Sequence, residues 1–227
     1  MMPANVIQLR QLLSEKFPEA RMRLDGPVDP DAVRWPTGLP QIDEPLRGGL
    51  PKGAIAEFAG AKKCSGSATL VREILSNAAR RNEIIALVDG NDSLDLARIE
   101  PRVLSRLLWI RCRSADDALK ASDLVLRDNN LPLVLIDLKL NPEKQLRKIP
   151  ATVWYRFQRL VEETSAVCMV FTPHPMVSRA QTRIAFNSTF SLDTLEKDTG
   201  ELLNQLKLEV SDRKQPAEMT RFSQSSA

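Results

Sequence analysis

The sequence predicts an α/β fold in which a mostly parallel sheet is flanked by helices and followed by a C-terminal antiparallel hairpin. Two observations lead to this prediction. Short, nearly continuous apolar runs alternate along the chain with segments of helical periodicity, and the last two strand-like segments are separated by a turn. Continuous apolar strands are typical of a parallel sheet with both faces covered, because neither side of such a strand meets water.

Length and composition indicate one domain with short appendages. The 227 residues, 43% of them hydrophobic and 27% charged, suffice for a single sizeable core. A formal net charge of +3 is too small to indicate nucleic acid binding. The three cysteines and the single histidine form no metal-ligand pattern, and no apolar run is long enough for a membrane helix. We therefore expect a cytoplasmic protein with reduced thiols.

Residues 1–34 are predicted to form a helix and a proline-rich linker. The helix, expected over residues 5–17, has apolar residues at helical spacing: Val6, Leu9, Leu12, Leu13 and Phe17. Pro18 ends this pattern, and the prolines and charges that follow favour an extended linker. The apolar face of the helix needs a surface to cover. We expect the helix either to associate with a second copy or to fold back on the core.

The core is predicted over residues 35–211. Strands are expected at 54–59, 84–88, 107–112, 132–138 and 166–171, and helices at 67–81, 114–128 and 150–163. Ser114, followed by two aspartates, is typical of a helix start, because acids in the first turn suit the helix dipole. The segments RIAFNSTFSLD and ELLNQLKLEVS flank a turn at Lys197 to Gly200, which predicts the hairpin. The polar tail, residues 212–227, is predicted to be disordered.

A glycine-rich loop, GAKKCSGSATL, joins the first core strand to the next helix, where a doubly wound fold binds phosphate. A functional P-loop reads GxxxxGK[ST]: its amides surround the phosphates, its lysine neutralises their charge, and its hydroxyl holds Mg²⁺. Here Gly60 and Gly66 are separated by five residues, and Ser67 and Ala68 replace the lysine and the hydroxyl residue. The loop therefore predicts a vestigial nucleotide site, with no ATPase activity and no bound cofactor.

The motifs around this loop resemble the RecA family. The segment TGLPQIDEPLRGGLPKGAIAEFAG, residues 37–60, is similar to the RecA lead-in, with a short helix ending near Asp43 and a Gly-Gly-Leu-Pro-x-Gly turn. IIALVDGNDSLD resembles the RecA strand and loop in which a glutamate activates water, and Asn91 occupies that place. An amide cannot accept the proton. LPLVLIDL resembles the Walker B strand, with Asp137 at its end.

The resemblance implies a RecA-like core with one of three catalytic elements remaining, and no residue is assigned as catalytic. The residues of the vestigial nucleotide site are Gly60, Lys62, Lys63, Gly66, Ser67, Thr69 and Asp137. Lys62 or Lys63 could turn toward a phosphate, but a loop lysine lacks the fixed approach that the start of a helix provides.

Within this superfamily the chain most resembles the ImuA family, RecA-like proteins associated with translesion DNA synthesis. The stretches that carry the resemblance span residues 35–171 and are WPTGLPQIDEPLRGGLPKGAIAEF, LLWIRC with ADDALKASDLVLR, LVLIDL, and IPATVWYRFQRLVEETSAVCMVF. The resemblance implies a non-catalytic accessory protein, induced by DNA damage, with the polymerase-like ImuB and an error-prone DnaE-type polymerase as partners. RecA, self-association and DNA binding stay open.

Two other functions are left open: a DNA-stimulated ATPase that uses a loop lysine, and a SulA-like cell-division inhibitor, which is a related, shortened RecA-like fold. Several side chains also have two interpretations. His174 has no identifiable catalytic partner, which favours an ordinary loop residue. Trp109 and Trp154 could stack on bases, although their apolar flanks favour core packing. Arg179 and Arg183 fall where RecA-type proteins have a DNA-contacting loop, with a solvated turn as the alternative.

Overall fold

The computed structural model describes residues 4–17, 34–61, 65–188, 190–191 and 199–213. Residues 18–33 of the predicted linker, the loop lysines Lys62 and Lys63, and the tail beyond residue 213 lie outside these ranges. Arg34, assigned from the sequence to the linker, begins a short strand. Asp212, assigned from the sequence to the tail, is instead the last residue of a strand. Within the described ranges, no helix is long and apolar enough to cross a membrane.

The helices of the described ranges are α1 (Ala4–Lys16), α2 (Pro40–Asp43), α3 (Ser67–Arg80), α4 (Pro101–Leu104), α5 (Ala115–Asp128), α6 (Glu143–Leu146), α7 (Ala151–Glu162) and α8 (Thr199–Asn204). The strands are β1 (Arg34–Trp35), β2 (Leu50–Pro51), β3 (Ala54–Ala59), β4 (Ile85–Asp89), β5 (Leu107–Arg111), β6 (Leu133–Asp137), β7 (Val167–Thr172), β8 (Thr182–Phe186) and β9 (Leu208–Asp212).

The described part of the main sheet has seven strands in the order β5-β4-β6-β7-β3-β8-β9. All neighbouring strands run parallel except β8 and β9. The predicted α/β fold is confirmed. The five predicted parallel strands are all present, because each of these apolar runs is long enough to cross a sheet that is covered on both faces.

Alternate residues of the sheet point into two separate apolar layers. On one face, α3 packs Leu70 and Ile74 against the strands, together with Trp35 of the lead-in. On the other face, α5 and α7 pack against the sheet, and α7 contributes Trp154 and Phe157. These helices bury one stripe each because their apolar residues recur every three or four positions. Trp154 is a core residue, as its flanks predicted, and is 1% exposed.

The C-terminal antiparallel pair is confirmed, but the predicted turn between its strands is wrong. Thr199 and Gly200, assigned to the turn, begin the helix α8, and the residues ELLN are helical instead of extended. Leu202 and Leu206 are both buried, and both belong to the same apolar cluster as Leu70 of α3. Lys197 lies outside the described residues.

The N-terminal helix folds back on the core and packs on α5. Val6 and Leu13 are buried, while Leu12, predicted on the same face, points outward and is 44% exposed. The Arg10 guanidinium donates from Nε to Asp128 Oδ1 at 2.9 Å. A buried carboxylate at the C-terminus of a helix is unfavourable, because that end of the helix dipole is negative. Arg10 supplies the positive charge that Asp128 needs, so α1 completes this end of α5.

Candidate phosphate-loop site

The candidate site lies at the carboxyl edge of the sheet, where β3 leads into α3. Gly60 follows β3, and Gly66 caps α3 with a φ of 80°. Only a residue without a Cβ adopts this left-handed conformation easily, so glycine is required at that turn. Parallel strands end at one edge, and the end of β6 therefore brings Asp137 to the same region.

The structure brings together some of the residues predicted for the nucleotide site. Ser67 begins α3, and Thr69 is buried in its first turn. Asp137 is half-buried, and its Oδ1 accepts the backbone N–H of Lys139 at 2.9 Å. Burial raises the pKa of the Asp137 carboxyl to about 6. The assignment of these residues to a nucleotide site stays a prediction.

The side chain that joins the loop to Asp137's strand is Lys139, which the sequence interpretation missed. Its ammonium contacts Ser65 Oγ and donates to Ser67 Oγ at 2.7 Å. Lys139 is 4% exposed, and burial lowers its pKa to about 8. The signal in the sequence is a lone lysine that follows the buried strand directly, between Leu138 and Leu140. A lysine in an apolar run can bury its stem and carry its charge to a distant polar site.

Three apolar side chains of the C-terminal region close over the glycines of the loop, and we call them the apolar cover: Phe186, Phe190 and Leu206. A Cβ on Gly60 would lie 2.6 Å from Phe186 Cβ. A Cβ on Gly66 would collide with Leu206 and would lie 2.6 Å from Phe190 Cε2. The Phe186 ring also faces Lys139, with its centroid 5.1 Å from Nζ. Both ends of the loop are therefore in direct contact with the cover.

The loop after β4, where Asn91 replaces the expected glutamate, is organised by Asp89. This carboxylate is 1% exposed and accepts the backbone N–H groups of Ser93 at 2.8 Å and Leu94 at 2.9 Å. It also accepts the indole N–H of Trp109 at 3.3 Å. Trp109 is partly buried against the core, so its ring packs within the protein as its apolar flanks predicted. Asn91 itself is exposed.

Arg183, a candidate for DNA contact from the sequence, lies in β8, and its side chain is partly buried and 34% exposed. Its Nε donates to Glu57 Oε2 at 2.7 Å, and Glu57 is fully buried in β3. Glu57 also accepts the backbone N–H groups of Met176 and Val177. The pair therefore fixes the chain that crosses from β7 to β8.

The other two candidate side chains of this region are exposed. The guanidinium of Arg179 stacks on the ring of Tyr155 at 4.7 Å. His174 Nδ1 lies 3.8 Å from Glu143 Oε2, a neighbour that the sequence did not indicate. In the described ranges, no group of three or more His, Cys, Asp or Glu side chains is arranged to hold a metal ion.

Comparison with known proteins relates the chain to RecA. It is 34% identical to protein RecA of Clavibacter michiganensis over 119 aligned residues, and these residues make up 51% of this chain and 33% of that RecA. It is 30% identical over 119 residues to protein RecA of Bifidobacterium longum, which covers 51% of this chain and 30% of the relative. Protein RecA of Methylococcus capsulatus is 33% identical over 116 residues, or 49% of this chain and 33% of the relative.

The chain thus spans about a third of the length of the curated relatives that it matches. No protein-family model matches it. The matched half of the chain and the α/β architecture together make this a RecA-like protein at the level of the superfamily.

Proposed function

We propose that this chain is a non-catalytic RecA-like accessory protein of DNA-damage-induced translesion synthesis, which acts through protein contacts. The observation that carries the proposal is the apolar cover. Phe186 lies against Gly60, and Leu206 and Phe190 lie against Gly66, at the loop where a P-loop protein binds phosphate. Apolar side chains therefore pack on the glycines that a P-loop uses to approach a nucleotide.

The residue types around this position support the same proposal. A P-loop needs a lysine and a hydroxyl residue at the first helical positions, and here these positions are Ser67 and Ala68. Water attack on a phosphate also needs a group that orients or deprotonates the water, and Asn91 carries an amide. Charge-assisted hydrogen bonds of roughly 1.5–3 kcal/mol each hold a triphosphate, so the loss of several takes the Kd toward millimolar.

The assignment of partners rests on the resemblance to ImuA. The similarity to RecA proteins supports the superfamily and a link with DNA repair. The stretches that resemble ImuA include α5 and α7, which pack beside each other on one face of the sheet. We propose ImuB and an error-prone DnaE-type polymerase as partners.

The test combines nucleotide binding, hydrolysis and complex formation with the full-length chain. Calorimetry with Mg-ATP should give a Kd weaker than about 1 mM, and hydrolysis should stay at the buffer rate with or without single-stranded DNA. Tagged protein from DNA-damaged cells should retain ImuB and the polymerase. Micromolar ATP binding with DNA-stimulated hydrolysis that Asp137→Ala abolishes would instead establish the ATPase alternative. Cell filamentation on overexpression, without polymerase capture, would establish the SulA-like alternative.

A further inference from the structure

We propose that the apolar cover holds the start of α3 in place, so that this end of the core stays folded without any ligand. The inference rests on the proposed absence of nucleotide at this loop and is independent of the identity of the partners. It assigns a role to the C-terminal region that contains β8, α8 and β9.

The first argument is steric. Gly60 and Gly66 are in contact with side chains of the cover, so closely that neither position has room for a Cβ. Phe186, Phe190 and Leu206 are 7%, 7% and 5% exposed. They are part of the same apolar cluster as Leu70 of α3. The cover is therefore continuous with the core and packs directly on Gly60 and Gly66.

The second argument is electrostatic. The start of a helix carries partial positive charge, and P-loops use it to attract an anion. Here a buried ammonium stands at that end, which is unfavourable unless its protons are accepted. The three N–H donors of Lys139 face the Ser65 hydroxyl, the Ser67 hydroxyl and the π-face of Phe186. Ser65, Ser67 and Phe186 thus accept the protons of this cation.

The third argument is that the cover is tied to the elements around the loop. Arg72 of α3 donates from Nη2 to Thr199 Oγ1 at 2.7 Å. Gln41 of α2 donates from Nε2 to the Leu203 carbonyl oxygen at 2.9 Å. These bonds attach α8 to α3 and to the lead-in helix α2. The position of the cover is therefore determined by the fold.

Hydrogen exchange of the full-length chain tests the proposal in the absence of nucleotide. Leu206→Ala and Phe190→Ala each remove one of the two cover side chains that lie against Gly66. In both variants, amides of residues 65–75 should exchange about tenfold faster than in the wild type, while β4 and β6 keep their protection. The matched control is Val210→Ala, which shortens a partly buried side chain of the same strand pair and should leave residues 65–75 unchanged.

The nucleotide arm uses the wild-type protein with 0 mM and about 0.1 mM Mg-ATP, roughly tenfold below a millimolar Kd, and exchange at residues 65–75 should be the same in both. Unchanged exchange in Leu206→Ala and Phe190→Ala, or slowing of wild-type exchange by Mg-ATP, would overturn the proposal. If Leu206→Ala does not fold, Leu206→Val is the milder variant, with acceleration expected at residues 65–75 alone. Failure of polymerase capture would overturn the proposed function and leave this inference standing.

Discussion

Lys139 carries its charge in a buried site where the neighbouring helix end is also positive. We therefore expect the Lys139 side chain to lose its proton at a lower pH than an exposed lysine does. Its pKa falls from 10.5 to about 8 in the folded protein because burial disfavours the ammonium. Asp137, with a pKa raised to about 6, is ionised throughout this range, and its charge acts in the opposite direction. Between pH 8 and 10.5 the unfolded chain binds the proton that the folded chain has lost, so folding is favoured as the pH rises.

We therefore predict a pH-dependent difference between the wild type and Lys139→Met. The free energy of unfolding of the wild type, relative to the variant, should rise by up to about 3 kcal/mol from pH 8 to 10.5. Burial raises the pKa of Cys168 to about 12, and this thiol cancels in the difference because both proteins contain it. Urea unfolding at several pH values measures the effect. A difference that does not change with pH would contradict the buried position of the ammonium.

Arg183 is a second residue whose partner the sequence did not indicate, and in the structure that partner is Glu57. Glu57 is fully buried and Arg183 is its one cationic partner among the described residues. Arg183→Met should destabilise the protein by about 3 kcal/mol, since a buried carboxylate then keeps only neutral donors. Denaturant unfolding gives this value, with the exposed Arg179→Met as the control, expected to cost less than about 0.5 kcal/mol. Weakened DNA binding by Arg183→Met at full stability would support the DNA-contact interpretation instead.

At the scale of elements, α1 shows how an amphipathic helix acquires its partner. Its apolar residues predicted that it would cover a surface, and left open whether that surface belongs to a second copy. The structure places Leu13 in the core and pairs Arg10 with Asp128 of α5. Periodicity can identify the apolar face of a helix, but it does not identify the surface on which that face packs. Here this surface belongs to α5, and the ion pair between the two helices joins residues 118 positions apart.

We predict that Leu9→Asp with Leu13→Asp releases α1 while the sheet stays folded. A charge at the position of Leu13, which is fully buried, cannot be solvated unless the helix leaves α5. The thermal midpoint should fall, residues 119–128 should exchange faster, and circular dichroism should lose only the signal of one helix. The exposed Leu12→Asp is the matched control, with no change expected. A complete loss of folding would mean that α1 is essential to the core; unchanged exchange of α5 would mean that the helix docks elsewhere.

The C-terminal region shows where element prediction failed. The strand pair was predicted correctly, but residues 199–204 were assigned to a turn and a strand and are helical. A run such as ELLNQL suits either an alternating strand or a helix turn, because its apolar residues fit both periods over so short a length. In the folded protein, Leu202 and Leu206 are buried in the same apolar cluster as Leu70 of α3. The residues of α3 lie more than 120 positions earlier in the chain, as the hydrogen bond from Arg72 to Thr199 shows. A pattern within residues 199–206 cannot contain this contact.

At the scale of the whole molecule, the strand order determines which residues meet at the candidate site. β3 lies between β7 and β8, although both of these strands come late in the chain. The end of β3 therefore lies beside the end of β8, with Ala59 opposite Ala185. This pairing brings Phe186, the last residue of β8, into contact with Gly60. A sequence of alternating strands and helices does not specify that order, because several parallel arrangements bury the same apolar runs equally well.

The sequence alone determined the α/β class, the five parallel strands, the three long helices of the core and the glycine-rich loop with serine and alanine at the P-loop positions. These properties are local: they depend on the spacing of residues along a few turns or one strand. Only the tertiary structure decided that Lys139 meets Ser65, that Arg183 meets Glu57 and that the apolar cover closes on the loop. The first two contacts join residues 74 and 126 positions apart, and such pairs are selected by the packing of the sheet and not by any pattern within one segment.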